Sequence, residues 1–524
     1  MKRIINFIFT IIFISSVHAN EKAIIKGLSY MALLPQDIRI DLDAFKCDSF
    51  SMKLCDYILE NPEKSEFEME EIIKYIKYLS ISKTFEYAEK MDASKKENKK
   101  IEWKNISLTQ SNVNMNFLID SLITDGDYYE EVENFLRIVE KRKNNEEDYM
   151  NILKSVDYLL SLSENGMKSF IEDMQKMNRG NVEVIIGTEN DDTHYVSKGN
   201  KIIIDFRGND IYIALDNYSL ACGIDGISGV IDFHGNDAYI GKSFDIGCGI
   251  NGVGFIDDRE GNDSYNSQYC SIGAGFLGMG FIIDREGNDS YLGSGNCEGF
   301  GFTKGIGFIY DIYGDDSYIV RGGIEDNREE GYHSHLSQGF GFGIRDIASG
   351  GVGILFDNAG DDIYLGEYFT QGSSYWHSLG ILYDNAGNDI YKSRRYSQGA
   401  GTHFTVGLLM DRDGDDIYHS WGVSQGCGHD FSFGMLTDYK GDDIYYSNWL
   451  SQGAGNANGT GVLIDFEGND SYKTMKRDCQ GWGNSLRKTF SYGMLFDMSG
   501  KDAFNEINQK TEVKTKMGVL IDKN

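Results

Sequence analysis

Proline is almost missing from this chain, with two in 524 residues, Pro35 and Pro62. No later proline removes an amide donor from a strand ladder. Positive charge is scarce as well: 50 Lys and Arg stand against 81 Asp and Glu, a formal net charge of −31. Electrostatics therefore oppose binding to nucleic acid or to anionic lipid headgroups. The sequence has no GxSxG, HExxH, Walker loop or glycine-rich dinucleotide fingerprint, and its Cys and His residues show no nucleophile-base spacing. Beyond the first residues, no apolar run reaches the roughly 20 residues needed to cross a bilayer. What remains is 41% apolar residues with 13% aromatics, enough to build a core in a chain long enough for two or more domains.

The opening "MKRIINFIFTIIFISSVHAN" has a basic start, an apolar run from Ile4 to Ile14 and the small-residue exit Val17-His18-Ala19. This pattern predicts a secretory signal over 1–19, cut after Ala19. No cysteine sits at the exit to carry a lipid. The expected product is exported, whether periplasmic, cell-surface or secreted, with no membrane span in the mature chain.

The chain then changes character twice. Residues 20–179 are rich in Lys and Glu with helical periodicity, as in "EFEMEEIIKYIKYLSISKTFEYAEKM" from Glu66 to Met91. They predict an α-helical N-terminal domain. Residues 180–524 are rich in glycine, and short β-prone runs alternate with turns. One motif recurs there, as "DFRGNDIYIA" from Asp205, "DREGNDSYLG" from Asp284, "DRDGDDIYHS" from Asp411 and "DFEGNDSYKT" from Asp465.

Its glycine falls at Gly208, Gly235, Gly261, Gly287, Gly314, Gly360, Gly387, Gly414, Gly441, Gly468 and, in the weaker "GKDAF", Gly500. The spacing is 26 or 27 residues, with 19 extra residues between Gly314 and Gly360 and a slightly longer last interval. A fixed unit of short strands and tight turns is what one coil of a parallel β-solenoid requires, since each coil pairs edge to edge with the next. The predicted fold is therefore mainly β: a parallel β-solenoid of about eleven coils with an insertion within 321–350. The helical domain is expected to cap its first coil, whose open edge otherwise invites aggregation.

Stacking the coils aligns the acidic residues into columns. The first, three before the glycine, holds Asp205, Asp232, Asp258, Asp284, Asp311, Asp357, Asp384, Asp411, Asp438 and Asp465. The second, two after the glycine, holds Asp210, Asp237, Asp263, Asp289, Asp316, Asp362, Asp389, Asp416, Asp443 and Asp470, with Asp502 in the last copy. An Asp at the first position of "DxxG" caps a type I turn through backbone N–H groups. Strand alternation puts the second Asp and the following Tyr (Tyr212 through Tyr472) on one side. Carboxylates about 5 Å apart repel by roughly 3 kcal/mol at an effective dielectric of 20, so neutralisation is expected. Ca²⁺ suits the role because it accepts several carboxylate and carbonyl oxygens in flexible geometry. The metal-free alternative, with Asp capping turns and Asn forming amide ladders, stays open.

"GNDIY", "GNDSY" and "GDDIY" resemble the second half of the repeat-in-toxin (RTX) nonapeptide. The resemblance spans about five residues of each coil. It implies Ca²⁺ bound by the second-column Asp between stacked turns, with Tyr pointing into the core.

Other residues suggest lesser roles. Gln338, Gln371, Gln398, Gln425, Gln452 and Gln480 form a column read as an amide ladder, with a sugar-binding strip as the alternative. Trp421 and Trp449, with Tyr368 and Arg395, are either buried aromatics or stacking faces for a glycan. His333 and His335 in the insertion are read as a solvated loop or a transition-metal site. Candidate disulfides in an exported chain are Cys47 with Cys55, Cys222 with Cys248, and Cys270 with Cys297, free thiols being the alternative; Cys427 and Cys479 lack obvious partners. The expected function is a calcium-stabilised structural or adhesive surface protein whose partner is a glycan or another protein. The rival is a β-helix enzyme acting on acidic polysaccharide, with its groove near the insertion.

Overall fold

The computed structural model describes residues 19–40, 50–91, 146–176, 182–487, 489–505, 512–514 and 517–523. Helices cover Ala19–Tyr30, Lys53–Glu60, Ser65–Lys77, Ile81–Lys90, Glu146–Leu160 and Glu164–Lys176, and strands begin at Glu183. The strands form a parallel β-solenoid of about eleven coils. One coil shows the plan: Leu379–Asp384, Ile390–Lys392 and Gly401–Thr402 lie on three successive sides. Their equivalents stack into a fourteen-stranded sheet, a twelve-stranded sheet and a discontinuous third face of short strands. A single antiparallel strand, Glu512–Lys514, closes the far edge of the long sheet against Gly518–Asp522.

The register is strict because side chains stack on their own kind. Tyr391 lies opposite Tyr364 and Tyr418, and Asp384 lies opposite Asp357. Ten tyrosines from Tyr212 to Tyr472 form one internal stack with ring centroids 4.7–4.9 Å apart. His194 begins this stack and Phe504 ends it. In Ile390–Lys392 the burial alternates, Ile390 and Lys392 facing solvent and Tyr391 fully buried. The turn before it tolerates no side chain, since a Cβ on Gly387 would sit 1.6 Å from the Gly360 carbonyl oxygen. This explains the invariant phase of the repeat.

The long strands behave differently: all six residues of Leu379–Asp384 are buried. Leu382 packs inward with the tyrosine stack, whereas Ile381 and Tyr383 face outward into a core shared with the helices. A sheet covered on both faces reads as an unbroken apolar run. The described helices supply that cover along the flank of the solenoid, starting with Glu164–Lys176 beside Phe206 and Arg207 of the first full copy and reaching well beyond the first coil. Helix Glu146–Leu160 packs on Val253–Asp257, Lys53–Glu60 on Val406–Met410, and Ala19–Tyr30 on Thr460–Asp465 and Tyr492–Asp497. The outward apolar column is the reason, because it extends along the sheet and needs a cover of equal length.

The insertion leaves the ladder intact: Asp316 N–H still donates to Asp362 Oδ1 at 2.6 Å. Gln338 lies 24 residues after Gly314, where Gln371 lies 11 after Gly360, so most extra residues precede the glutamine. They form a small antiparallel hairpin, Ile324–Glu325 with His333–Ser334. No helix among the described residues is long and apolar enough to cross a membrane.

Candidate metal centre

Both aspartate columns lie inside the solenoid at the corner between the long sheet and the tyrosine sheet. Asp384 and Asp389 are fully buried, as are Asp411 and, within 1%, Asp416. In Asp232, Asp357, Asp384 and Asp438 the first-column Oδ1 caps its own turn, accepting N–H bonds of 3.0–3.2 Å two residues on, whereas in Asp258, Asp284, Asp311, Asp411 and Asp465 it is buried without a partner. The first-column Oδ2 accepts from the tyrosine hydroxyl of the preceding coil: Tyr364 to Asp384 and Tyr391 to Asp411, both at 2.6 Å. The second-column Oδ1 accepts the backbone N–H of its counterpart one coil back. Asp362 donates to Asp389 at 2.6 Å and Asp389 to Asp416 at 2.7 Å.

At least one carboxylate oxygen per coil is left over. Every second-column Oδ2 from Asp210 to Asp502 is buried without a hydrogen-bond partner. Carboxylate oxygens of the two columns lie within 4.8 Å of one another in repeating groups such as Asp210 with Asp232 and Asp237, then Asp237 with Asp258 and Asp263. A group thus joins the second-column Asp of one coil to both Asp residues of the next. Among the described residues, Asp205 pairs with His194 at 3.1 Å, whereas no basic side chain pairs with the columns from Asp210 to Asp502.

Burial therefore holds the column carboxyls from Asp210 to Asp470 above their usual range, and neighbouring carboxylates add to the shift, as for Asp384 and Asp389. Two chemical states satisfy such a row. Protons shared between adjacent carboxyls neutralise it, or hard cations occupy the space between the leftover oxygens. A divalent ion with oxygen ligands fits the donor set, because every donor is a carboxylate oxygen and three come from two coils. An exposed ladder runs outside this row: Asn262 N–H donates to Asn236 Oδ1 at 2.8 Å and Asn388 Nδ2 to Asp361 Oδ1 at 2.9 Å. The turn caps and amide ladders of the metal-free alternative are therefore present, but they leave the Oδ2 row unanswered.

The glutamine column is buried and backbone-bound. Gln371 Nε2 donates to Tyr364 O at 3.0 Å and Lys392 O at 3.1 Å, and its backbone is left-handed at φ 58°. Sequence reasoning missed its earlier member, Glu298, which lies 11 residues after Gly287 just as Gln371 follows Gly360. Glu298 is fully buried, and burial pushes it up to about 8 against an opposing contact with the Gln338 side chain. Only the neutral acid carries a proton to donate where the glutamines donate. Because its folded pKa exceeds the unfolded one, Glu298 loses the protein stability as pH rises from about 4.5 to 8. Glu298→Gln is expected to raise the melting temperature at pH 7.5 and to flatten this fall, checked by melting across pH 4.5–8.5.

His335 is buried rather than solvated, with Nε2 at 3.1 Å from Gly322 O and Nδ1 accepting the Glu367 N–H at 3.0 Å. His333 and Glu367 stand beside it, Nδ1 to Oε2 at 3.0 Å. Both nitrogens of His335 are thus occupied, which disfavours a transition-metal site. All seven described cysteines are buried, and Cys222, Cys248, Cys297, Cys427 and Cys479 are free thiols. Cys222 does lie in register with Cys248, but Tyr269 pairs with Gly295, which offsets Cys270 from Cys297 by one residue. Cys47 lies outside the described residues.

Trp421, Tyr332 and Arg394 meet at the insertion. The Arg394 guanidinium stacks 4.3 Å from the Tyr332 ring and 4.2 Å from the Trp421 ring and pairs with Glu329. Together with Arg321 and Lys392 they line a cleft of about 330 Å³. Comparison with protein-family models, characterised proteins and solved structures gives no match.

Proposed function

We propose that this is an exported β-solenoid whose internal aspartate row binds Ca²⁺ and which serves as a structural or adhesive surface protein. One observation carries the reading: an unpartnered, buried carboxylate oxygen repeats in every coil without a basic counter-charge. Hard divalent cations are the ligands such oxygens select. The resemblance of "GNDxY" to RTX repeats supports the same assignment, and the secretory pattern of residues 1–19 supports export into a calcium-containing compartment. A regular ladder that continues across the insertion supports a scaffold role. Calcium titration of the EDTA-treated protein, followed by circular dichroism and melting temperature, tests it.

The cleft at the insertion favours a second reading, action on acidic polysaccharide. Arg321, Lys392 and Arg394 line the cleft with one acidic residue, Glu367, and with Arg394 paired to Glu329, leaving a small excess of positive charge on a strongly acidic protein beside the stacking faces of Tyr332 and Trp421. Oligogalacturonate added to the protein separates the two. Binding by calorimetry, weakened about tenfold in the Arg321→Ala/Lys392→Ala double variant without product release, marks an adhesive site. Accumulation of new reducing ends or unsaturated sugar marks an enzyme, and absence of binding removes this ligand class.

A further inference from the structure

The helical cover is tied to the solenoid by a buried charge cluster. Glu66 is 2% and Glu70 5% exposed. Glu70 pairs with Arg412 at 3.0 Å, and Arg412 also reaches the Tyr383 hydroxyl at 3.2 Å and lies 4.4 Å from the Tyr439 ring. Glu66 Oε1 accepts from the Tyr439 hydroxyl, and its Oε2 accepts the backbone N–H of Asn20 at 3.3 Å. Of the nearby ammonium groups, Lys64 is turned to Glu21 at 2.5 Å and the exposed Lys77 to Asn358 Oδ1 at 3.3 Å. Two carboxylates therefore share one guanidinium, and the cluster lacks one positive charge. Burial, together with the neighbouring Glu70, raises the Glu66 carboxyl to about 7 against the opposing contacts of Tyr439, Arg412 and Asn20.

Asn20 stands where that charge is missing. It is fully buried, and its side-chain Nδ2 donates to Thr437 Oγ1 at 3.1 Å on strand Phe433–Asp438. It is also the residue after the expected cleavage point. Hydrolysis of the Ala19–Asn20 amide adds one water, leaving a carboxylate on Ala19 and an ammonium on Asn20. The α-amino group has an ordinary pKa of about 7.7–8.0 and is charged at neutral pH beside a carboxylate.

We propose that Asn20 is the first residue of the folded protein and that its α-ammonium ion-pairs with Glu66, completing the cluster that docks the helices onto the solenoid. This inference rests on the export reading above, through the leader alone. The new terminus carries the fourth charge, giving two positive and two negative groups in one buried site. Such a pair, removed from water and hydrogen-bonded on both sides, is costly to break from one side. Because Asn20 is buried, its peptide bond is out of a peptidase's reach once the helices dock, so cleavage precedes docking.

The protein exported with its own leader is compared with a variant carrying a glycine-serine pair inserted after Ala19, each with Glu66 or with Glu66→Gln. Mass spectrometry of the unmodified chain is expected to find Asn20 first. The insertion is expected to lower the melting temperature by about 2–4 °C with Glu66, the scale of a broken buried ion pair in a chain of about 500 residues, and by under 1 °C with Glu66→Gln. Cyanate, which carbamylates free α-amines near pH 7, provides a readout that does not depend on Glu66→Gln folding. The native Asn20 amine is expected to react at least tenfold more slowly than in denaturant, and the inserted terminus faster than Asn20. A mature chain starting elsewhere overturns the leader assignment together with the pairing. A chain starting at Asn20 that reacts at the denatured rate, or an equal insertion effect in both backgrounds, overturns the pairing alone and leaves export and calcium binding standing.

Discussion

Replacing Tyr391 by alanine is expected to cost about 3–5 kcal/mol of folding stability, the range for truncating a large buried aromatic. Tyr391 is fully buried, with rings stacked on both sides at 4.8 Å and 4.9 Å from Tyr364 and Tyr418. Truncation leaves a cavity, breaks two stacking contacts worth about 0.5–1.5 kcal/mol each beyond burial, and deprives Asp411 of the hydroxyl at 2.6 Å. Tyr391→Phe separates these contributions, since it keeps the stack and removes only the donor. It is expected to cost about 1–3 kcal/mol, the penalty for stranding a buried acceptor. Denaturant unfolding of the three proteins provides the measurement. A loss below about 0.5 kcal/mol for the alanine variant contradicts a structural role for the column.

The larger effect belongs to the aspartate row. Millimolar Ca²⁺ added to EDTA-treated protein is expected to raise the melting temperature. A ligand at a hundred times its Kd stabilises the folded state by about 2.7 kcal/mol per site, and the row repeats the site along the stack. Asp389→Asn and Asp416→Asn keep the Oδ1 that accepts the ladder N–H but remove ligand charge, so the calcium response is expected to shrink. Without metal the same substitutions act in the opposite direction, because they relieve repulsion between buried carboxylates.

The pH dependence carries a matching sign. The folded carboxyls titrate above their ordinary range while the unfolded chain releases its protons near 4, so the metal-free protein binds more protons when folded and loses stability as pH rises above about 4. Calcium binds the ionised form, so its benefit is expected to grow over the same interval. An EDTA-insensitive protein that the Asn substitutions stabilise leaves a row of proton-sharing carboxyls in place of a metal site.

The tandem repeat makes much of the coil legible in the amino-acid sequence. Strand alternation in "NDIY" places Tyr391 inside, and the Asp of "DxxG" is readable as a turn cap because both are short-range consequences of backbone geometry. Repetition then converts each local rule into a column, and stacking supplies the in-register pairing of Asp384 with Asp357 and Tyr391 with Tyr418.

Other features depend on contacts between distant segments, which a period does not encode. The run "GILYD" is compatible with a strand covered on one face or on both, and only the docked helices reveal that Ile381 and Tyr383 face a second core. Glu298 was hidden because one residue departs from a column otherwise read as glutamine, and its cost arises from complete burial. Arg321, Lys392 and Arg394 are scattered along the chain until the hairpin folds them toward Trp421. Sequence alone therefore determined the coil, its inward tyrosines and its acidic corner, since these follow from local geometry repeated at a fixed interval. Tertiary structure alone decided where the helices lie, which carboxylate oxygen is left without a partner, and how Glu66 meets Asn20, since each depends on which surfaces exclude water when distant segments pack.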